Sequence, residues 1–129
     1  WTQTKPEFHG KYVDFDPMMT WPKPVQTPHP PVLVGGGVPF GARRALAYGD
    51  GWLPNATRPT YHLLDKMSEF REMEKAAGRT VPITAYGVEH DPDAWIAYAD
   101  AGIERAVLSV ASEPADVILP MLDRWAAKL

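Results

Sequence analysis

The stretch Pro30-Pro31-Val32-Leu33-Val34-Gly35-Gly36-Gly37 joins a short apolar run to three consecutive glycines. A run of this length between prolines and glycines is typical of a buried strand. The segment at 39–48 predicts a helix, since Pro39 suits a first helical turn. Amides of a glycine turn and of a helix start point into the same space and favour an anion there. The stretch therefore predicts a strand, a turn able to bind phosphate, and a helix.

Three further apolar runs are each followed by a segment of helical character. The predicted strands lie at 51–54, 81–88 and 105–110, and the predicted helices at 59–77, 91–101 and 112–129. Successive strand–helix units make the strands parallel, because each crossover helix returns the chain to the same end of the sheet. The sequence thus predicts an α/β fold with four βα units over 31–129.

Local signals define the ends and buried faces of these helices. Apolar spacings of three and four predict a buried face on the second helix, made of Leu63, Met67, Phe70, Met73 and Ala77. Gly78 is its expected C-terminal stop. In the last helix Ser112 is the expected N-cap and Pro120 is expected to produce a kink. The predicted apolar stripe of that helix is Ile118, Met121 or Leu122, Trp125 and Leu129.

The first 30 residues differ from the rest of the chain. Repeated prolines alternate with aromatic residues, and neither a period of 2 nor one of 3.6 is sustained. We expect an extended insertion or linker segment at 1–30 that wraps part of a larger structure. Within it the alternation at 11–15 predicts a short edge strand or hairpin arm.

Two architectures fit four βα units. One is a small open, doubly wound sheet, which the length of 129 residues favours if the chain is complete. The other is half of a (β/α)8 TIM barrel, whose full form needs about 250 residues. The very short strands, and a proline-rich arm without an obvious partner, favour the half barrel.

Composition indicates an ordinary globular domain. The chain is 45% hydrophobic and 22% charged, with a net charge of -3, which is near average usage. We therefore expect neither a nucleic-acid nor a membrane partner. The absence of cysteine excludes disulfides and thiolate metal sites, and a reducing cytoplasm is the expected compartment.

The triple glycine has two interpretations from the residues alone. Gly35, Gly36 and Gly37 either bind an anion or only supply positive φ for a tight turn. The surrounding sequence has neither the GxGxxG spacing of a dinucleotide fold nor the lysine of a P-loop, so neither motif is supported.

Six segments, in order, resemble the C-terminal half of the luciferase-like monooxygenase family, and in particular its branch of deazaflavin (coenzyme F-420)-dependent oxidoreductases. They are the segments at 8–12, 21–26, 30–36, 45–47, 50–52 and 102–108. The resemblance implies a (β/α)8 barrel of which this chain supplies the last four units, after the insertion segment. It also implies a cofactor at the C-terminal mouth of the barrel, coenzyme F-420 first and FMN as the alternative.

The resemblance places Gly35, Gly36 and Gly37 against the cofactor's side chain and phosphate. Residues that act on substrate in the deazaflavin branch lie mostly in the N-terminal half, so the resemblance transfers no catalytic residue. Two further cofactor-binding candidates are Trp52, which follows a turn at the predicted barrel mouth, and Arg58, which follows a strand end. Arg43 and Arg44 are expected on a salt-bridged helix surface.

Other polar clusters have structural explanations. Glu89-His90-Asp91-Pro92-Asp93 contains metal-ligating atoms, but Asp91 and Asp93 are explained as a helix cap. His9, His29 and His62 are expected in loops or at the surface. Because no serine lies in a GxSxG motif, Ser109 is interpreted as a strand end. No metal site is predicted.

The expected function is that of an enzyme portion, a deazaflavin- or flavin-dependent oxidoreductase that moves hydride between its cofactor and a small organic substrate. A half barrel leaves two open edges and an uncovered inner face. We therefore expect a chain that is inactive alone and that pairs with a missing N-terminal half or with a second copy, as a homo-oligomer. The alternative is a non-catalytic half-barrel module that self-associates and binds an anionic ligand or a partner protein.

Overall fold

A computed structural model describes residues 1–58 and 60–128, so Pro59 and Leu129 lie outside the described residues. The chain divides into two compact units, Trp1–Pro31 and Val32–Leu129. In the described part, no helix is long and apolar enough to cross a membrane.

The first unit contains a small antiparallel hairpin. Strand β1 (Phe8–His9) pairs with β2 (Asp14–Phe15). The amide of Gly10 donates to the carbonyl oxygen of Val13 at 2.9 Å, which closes the turn. The hairpin arm predicted within 11–15 is therefore present as β2.

The second unit contains the four predicted strand–helix units. Its elements are β3 (Leu33–Gly35), α1 (Phe40–Tyr48), β4 (Gly51–Leu53), β5 (Thr57–Arg58), β6 (Tyr61–His62), α2 (Leu63–Ala77), β7 (Thr84–Val88), α3 (Pro92–Asp100), β8 (Arg105–Leu108) and α4 (Ala115–Ala126). The structure is therefore a mixed α/β fold with four helices and short strands.

Several boundaries differ from the sequence-based expectation: β7 begins at Thr84 instead of 81, β8 ends at Leu108 instead of 110, and two helices begin later than predicted. The helix predicted from 59 begins at Leu63, because β5 and β6 form an antiparallel hairpin before it. The predicted starting residue, Pro59, lies outside the described residues. Ser112 is not the N-cap of α4; Pro114 occupies that position, because the residue before a proline disfavours the helical conformation and the helix therefore cannot include Glu113.

Four of the strands are parallel and lie side by side in chain order, namely β3, β4, β7 and β8. β3 pairs with β4 and β7 pairs with β8, both in parallel. Parallel bridges Trp52↔Ile83 and Asn55↔Tyr86 join β4 to β7. A backbone hydrogen bond also connects the two strands, because the amide of Trp52 donates to the carbonyl oxygen of Pro82 at 2.9 Å. The spatial order is therefore β3-β4-β7-β8, without reversal among the described strands.

The core lies between these strands and helices α1 and α2. Trp52 and Phe70 are fully buried and stack with ring centroids 4.2 Å apart. The predicted face of α2 is buried at Leu63, Met67 and Phe70 and partly buried at Met73, whereas Ala77 is exposed. The helix ends as expected, with Gly78 in the left-handed conformation.

The apolar side chains of helix α4 are less buried than the predicted apolar stripe implied. Ile118, Met121 and Trp125 are half-buried, and Leu122 is exposed; Leu129 lies outside the described residues. Trp125 makes an edge contact with Trp95 at 6.1 Å between ring centroids.

The pH dependence of stability is expected to report on Tyr98. Burial, which has the larger effect, and Glu89, which accepts its hydrogen bond at 3.0 Å, together raise the pKa of this phenol to about 12. An unfolded tyrosine loses its proton near pH 10, whereas folded Tyr98 keeps it until about pH 12. Stability is therefore lost as pH rises through this interval.

The measurement is urea unfolding of the protein and of Tyr98→Phe between pH 9 and pH 12, an interval set around the tyrosine pKa. The variant should lose less stability than the parent over that range. Equally steep losses would show that Tyr98 does not carry the effect.

Candidate anion-binding pocket

The glycine turn between β3 and α1 requires glycine at two positions. Gly36 has φ +108°, in the region that favours glycine. A Cβ on Gly41 would lie 2.2 Å from the carbonyl carbon and oxygen of Gly36. The turn and the first turn of α1 are therefore in direct backbone contact. The positive φ predicted as one interpretation of the glycines is present at Gly36.

Trp52 supports this turn from behind. Its indole N–H donates to the carbonyl oxygen of Gly36, with Nε1 and O 2.7 Å apart. The side chain is 0% exposed and stacks on Phe70. The structure thus corrects the expectation of a direct ligand contact, because a side chain without exposed surface positions the turn instead.

A cavity of about 350 Å³ opens at the carboxyl ends of β3 and β4, beside the start of α1. It is lined by Gly36, Gly37, Val38, Phe40, Gly41, Arg44, Asn55, Arg58, Thr60 and Tyr61. Among the described residues, the lining includes two guanidinium groups and no carboxylate. Such a cavity has a positive electrostatic potential and suits an anion.

Two arginines approach the cavity from different elements. Arg44 on α1 donates from Nη2 to the carbonyl oxygen of Gly35 at 3.1 Å, instead of lying on a salt-bridged surface as expected. Arg58 on β5 lies against Asn55; with the Asn55 amide assigned so that its oxygen faces the guanidinium, that oxygen accepts from Nε at 2.8 Å and also from Nη2. Arg43 points elsewhere and lies over the ring of Phe40 at 6.0 Å. Of the predicted site residues, Gly36, Gly37 and Arg58 come together in the lining, and Gly35 adjoins it.

Tyr61 forms one wall. Its ring lies against Gly37, where an added Cβ would be 3.1 Å from a ring carbon. The hydroxyl is buried and lies near the backbone of Val38. Burial raises the pKa of Tyr61, and the backbone of Val38 partly opposes that rise. The phenol therefore stays neutral at physiological pH, and its hydroxyl, which has no exposed surface, contributes no donor to the open cavity.

Sequence reasoning missed Asn55, Tyr61 and the orientation of Arg44. Asn55 directly follows the Pro54 that ends the predicted strand, a position at which binding residues gather in parallel α/β folds. Tyr61 was assigned to a helix, which concealed the hairpin that presents it.

The acidic segment before α3 is a helix cap. The Asp91 carboxylate accepts from the amide of Asp93 at 3.1 Å. His90 contacts the carbonyl oxygen of Ser109 at 2.7 Å, directly after β8. Within the ranges described, no three His, Cys, Asp or Glu side chains gather as a metal site would require.

The cavity is suited to binding rather than to proton transfer. Within 1–58 and 60–128 its lining has no histidine, carboxylate or thiol, so these residues supply no general base of ordinary pKa. It offers guanidinium and amide donors instead, together with the backbone of a glycine turn. A group with several anionic oxygens matches this donor set.

Comparison with known proteins gives a consistent result. The model of the luciferase-like monooxygenase family matches residues 1–109. Over 132 aligned positions the chain is 33% identical to uncharacterized proteins of Mycobacterium tuberculosis (strain H37Rv) and Mycobacterium bovis. The alignment covers 100% of this chain and 46% of each relative, so the chain spans about half the length of the curated relatives it matches. The chain belongs to the luciferase-like monooxygenase family.

Proposed function

We propose that this chain is the cofactor-binding half of a flavin- or deazaflavin-dependent oxidoreductase. Family members use flavin or F-420 cofactors, which fits an oxidoreductase. The observation that carries the proposal is the cavity at the ends of β3 and β4, with two arginines, a glycine turn and no carboxylate.

Strand order supports half of a (β/α)8 barrel. A doubly wound sheet reverses its strand order at a switch point, which is where it binds ligands. Here four parallel strands follow one another in chain order, as around the arc of a barrel. The half-length coverage of the relatives agrees with this arrangement. The cavity then lies at the carboxyl ends of the strands, where barrel enzymes bind their ligands.

The donor set fits the phosphate of the cofactor side chain. The backbone at Gly35, Gly36 and Gly37 and the guanidinium groups of Arg44 and Arg58 would hold it. When bound, the cofactor ring supplies hydride transfer to or from a small organic substrate. This chain's own groups bind and orient the cofactor. Because F-420 and FMN both carry a phosphate, the same residues serve either one, and we favour F-420 on the sequence resemblance.

The exposed edges require a partner. β3 and β8 are the outer strands of the parallel set, and Leu33 on β3 is exposed. Uncovered edges of this kind pair with further strands. We propose that a second barrel half, from the complementary region or from a second copy in a homo-oligomer, covers them, and that the chain alone is inactive.

The test compares FMN with riboflavin, which has the same ring without the phosphate. Fluorescence titration of the purified chain should give tighter binding of FMN. Arg44→Ala and Arg58→Ala should each weaken FMN binding about 10- to 100-fold, since a charge-assisted hydrogen bond contributes about 1.5–3 kcal/mol. Neither variant should change riboflavin binding.

Arg43→Ala is the matched control, because it removes the same charge from α1 at a residue that contacts the Phe40 ring. It should leave the preference for FMN intact. Equal affinities of the unsubstituted chain for FMN and riboflavin would refute the phosphate-binding role.

A further inference from the structure

Tyr86 lies on the face of β7 that points away from the helices. Ile83 and Ala85 are buried in the core, and strand alternation places Tyr86 on the opposite face. Its side chain is 50% exposed. Its hydroxyl has no hydrogen bond to a described residue, so neither core packing nor a polar contact explains a large aromatic residue here.

A local distortion of the strand lies directly after it. The pairing of β7 with β8 shifts register between Tyr86 and Val88, and the intervening Gly87 has φ +71°. Bulges of this kind bend a strand, re-aim side chains and occur frequently beside active sites.

Tyr86 adjoins the anion pocket. It forms a parallel bridge with Asn55, and the amide of Ala56 donates to its carbonyl oxygen at 2.8 Å. Asn55 lines the pocket and holds Arg58. Neighbouring strands lie about 4.8 Å apart, so a ligand with its anionic end at the glycine turn after β3 must cross β4, a span of about 10 Å, to reach Tyr86 on β7.

We propose that Tyr86 is the contact surface for the flat heteroaromatic ring of the ligand whose phosphate end is bound by Arg44 and Arg58. The inference rests on the proposed function and adds the residue that binds the other end of the same ligand. An exposed phenol face suits offset stacking against such a ring.

The experiment titrates Tyr86→Leu, Tyr86→Phe and the unsubstituted chain with FMN and riboflavin. Tyr86→Leu should weaken both ligands by the same factor, about 3- to 10-fold. Tyr86→Phe should bind both with nearly unchanged affinity but quench flavin fluorescence less, because it keeps the stacking ring and loses the electron-rich phenol. Tyr48→Leu, at a tyrosine 61% exposed at the end of α1, is the control and should change neither affinity.

The outcomes separate the two proposals. Unchanged affinities and quenching in both Tyr86 variants, with FMN still preferred over riboflavin, would overturn the role of Tyr86 alone. A chain that does not distinguish FMN from riboflavin would overturn the proposed function and this inference with it. If Tyr86→Leu fails to fold, the fluorescence of bound flavin in Tyr86→Phe decides.

Discussion

Replacing Gly41 with alanine is expected to destabilise the second unit by about 3 kcal/mol and to abolish ligand binding. The added Cβ would lie 2.2 Å from both the carbonyl carbon and the oxygen of Gly36. These are backbone atoms, and the Gly36 carbonyl is also fixed by the indole of Trp52. The clash can therefore be relieved only if α1 moves away from the glycine turn. Urea unfolding followed by circular dichroism measures the loss.

Gly35→Ala is the matched control for this substitution. Its Cβ would meet only the Leu53 carbonyl oxygen, at 3.8 Å, an ordinary contact. We expect a stability change within about 0.5 kcal/mol. If Gly41→Ala unfolded at the same urea concentration as the unsubstituted chain, the close packing of turn and helix would be wrong.

Replacing Trp52 with alanine is expected to cost about 3–5 kcal/mol, the range for a large aromatic side chain removed from a core. The residue is fully buried and stacks on Phe70. Because a domain of this size is stable by only about 5–15 kcal/mol, the substitution should remove a large fraction of the free energy of unfolding. The measurement is the urea midpoint together with the circular dichroism signal in water.

Trp52→Phe separates the role of the indole N–H from that of the ring. Phenylalanine keeps the contact with Phe70 but leaves the Gly36 carbonyl without its 2.7 Å donor. We expect a smaller stability loss, of about 1–3 kcal/mol, and weaker FMN binding with riboflavin binding unchanged. Trp125→Phe, at a half-buried residue of α4, should have neither effect. Full FMN affinity in folded Trp52→Phe would show that the indole does not position the turn.

The order of strands and helices could be predicted from the sequence because its signals are local. Apolar runs, prolines at helix starts and glycines such as Gly78 mark the elements without reference to distant residues. The hairpin of β5 and β6 was missed because its two-residue strands are too short for a period to develop.

The site was only partly predictable for a different reason. The glycine turn is a contiguous motif, so Gly36 and Gly37 were found directly. The direction of a side chain depends on tertiary packing, which the local sequence does not show. For this reason the orientation of two side chains was not predicted: Trp52 faces the core instead of the cavity, and Arg44 donates to Gly35 instead of to a carboxylate. Tyr86 carries no sequence signal, because its exposure follows from strand alternation and the bulge at Gly87.

The central claim is that the glycine turn binds the phosphate of the cofactor. The most direct measurement is a two-dimensional ¹H–¹⁵N NMR titration of the chain with FMN and with riboflavin. Glycine amides resonate in a separate region, so Gly36 and Gly37 can be followed, with the remote, exposed Gly78 as internal reference. We predict that FMN shifts the Gly36 and Gly37 signals, that riboflavin shifts them much less, and that Gly78 stays unchanged with both. Unshifted Gly36 and Gly37 signals at FMN concentrations that shift other amides would contradict the account.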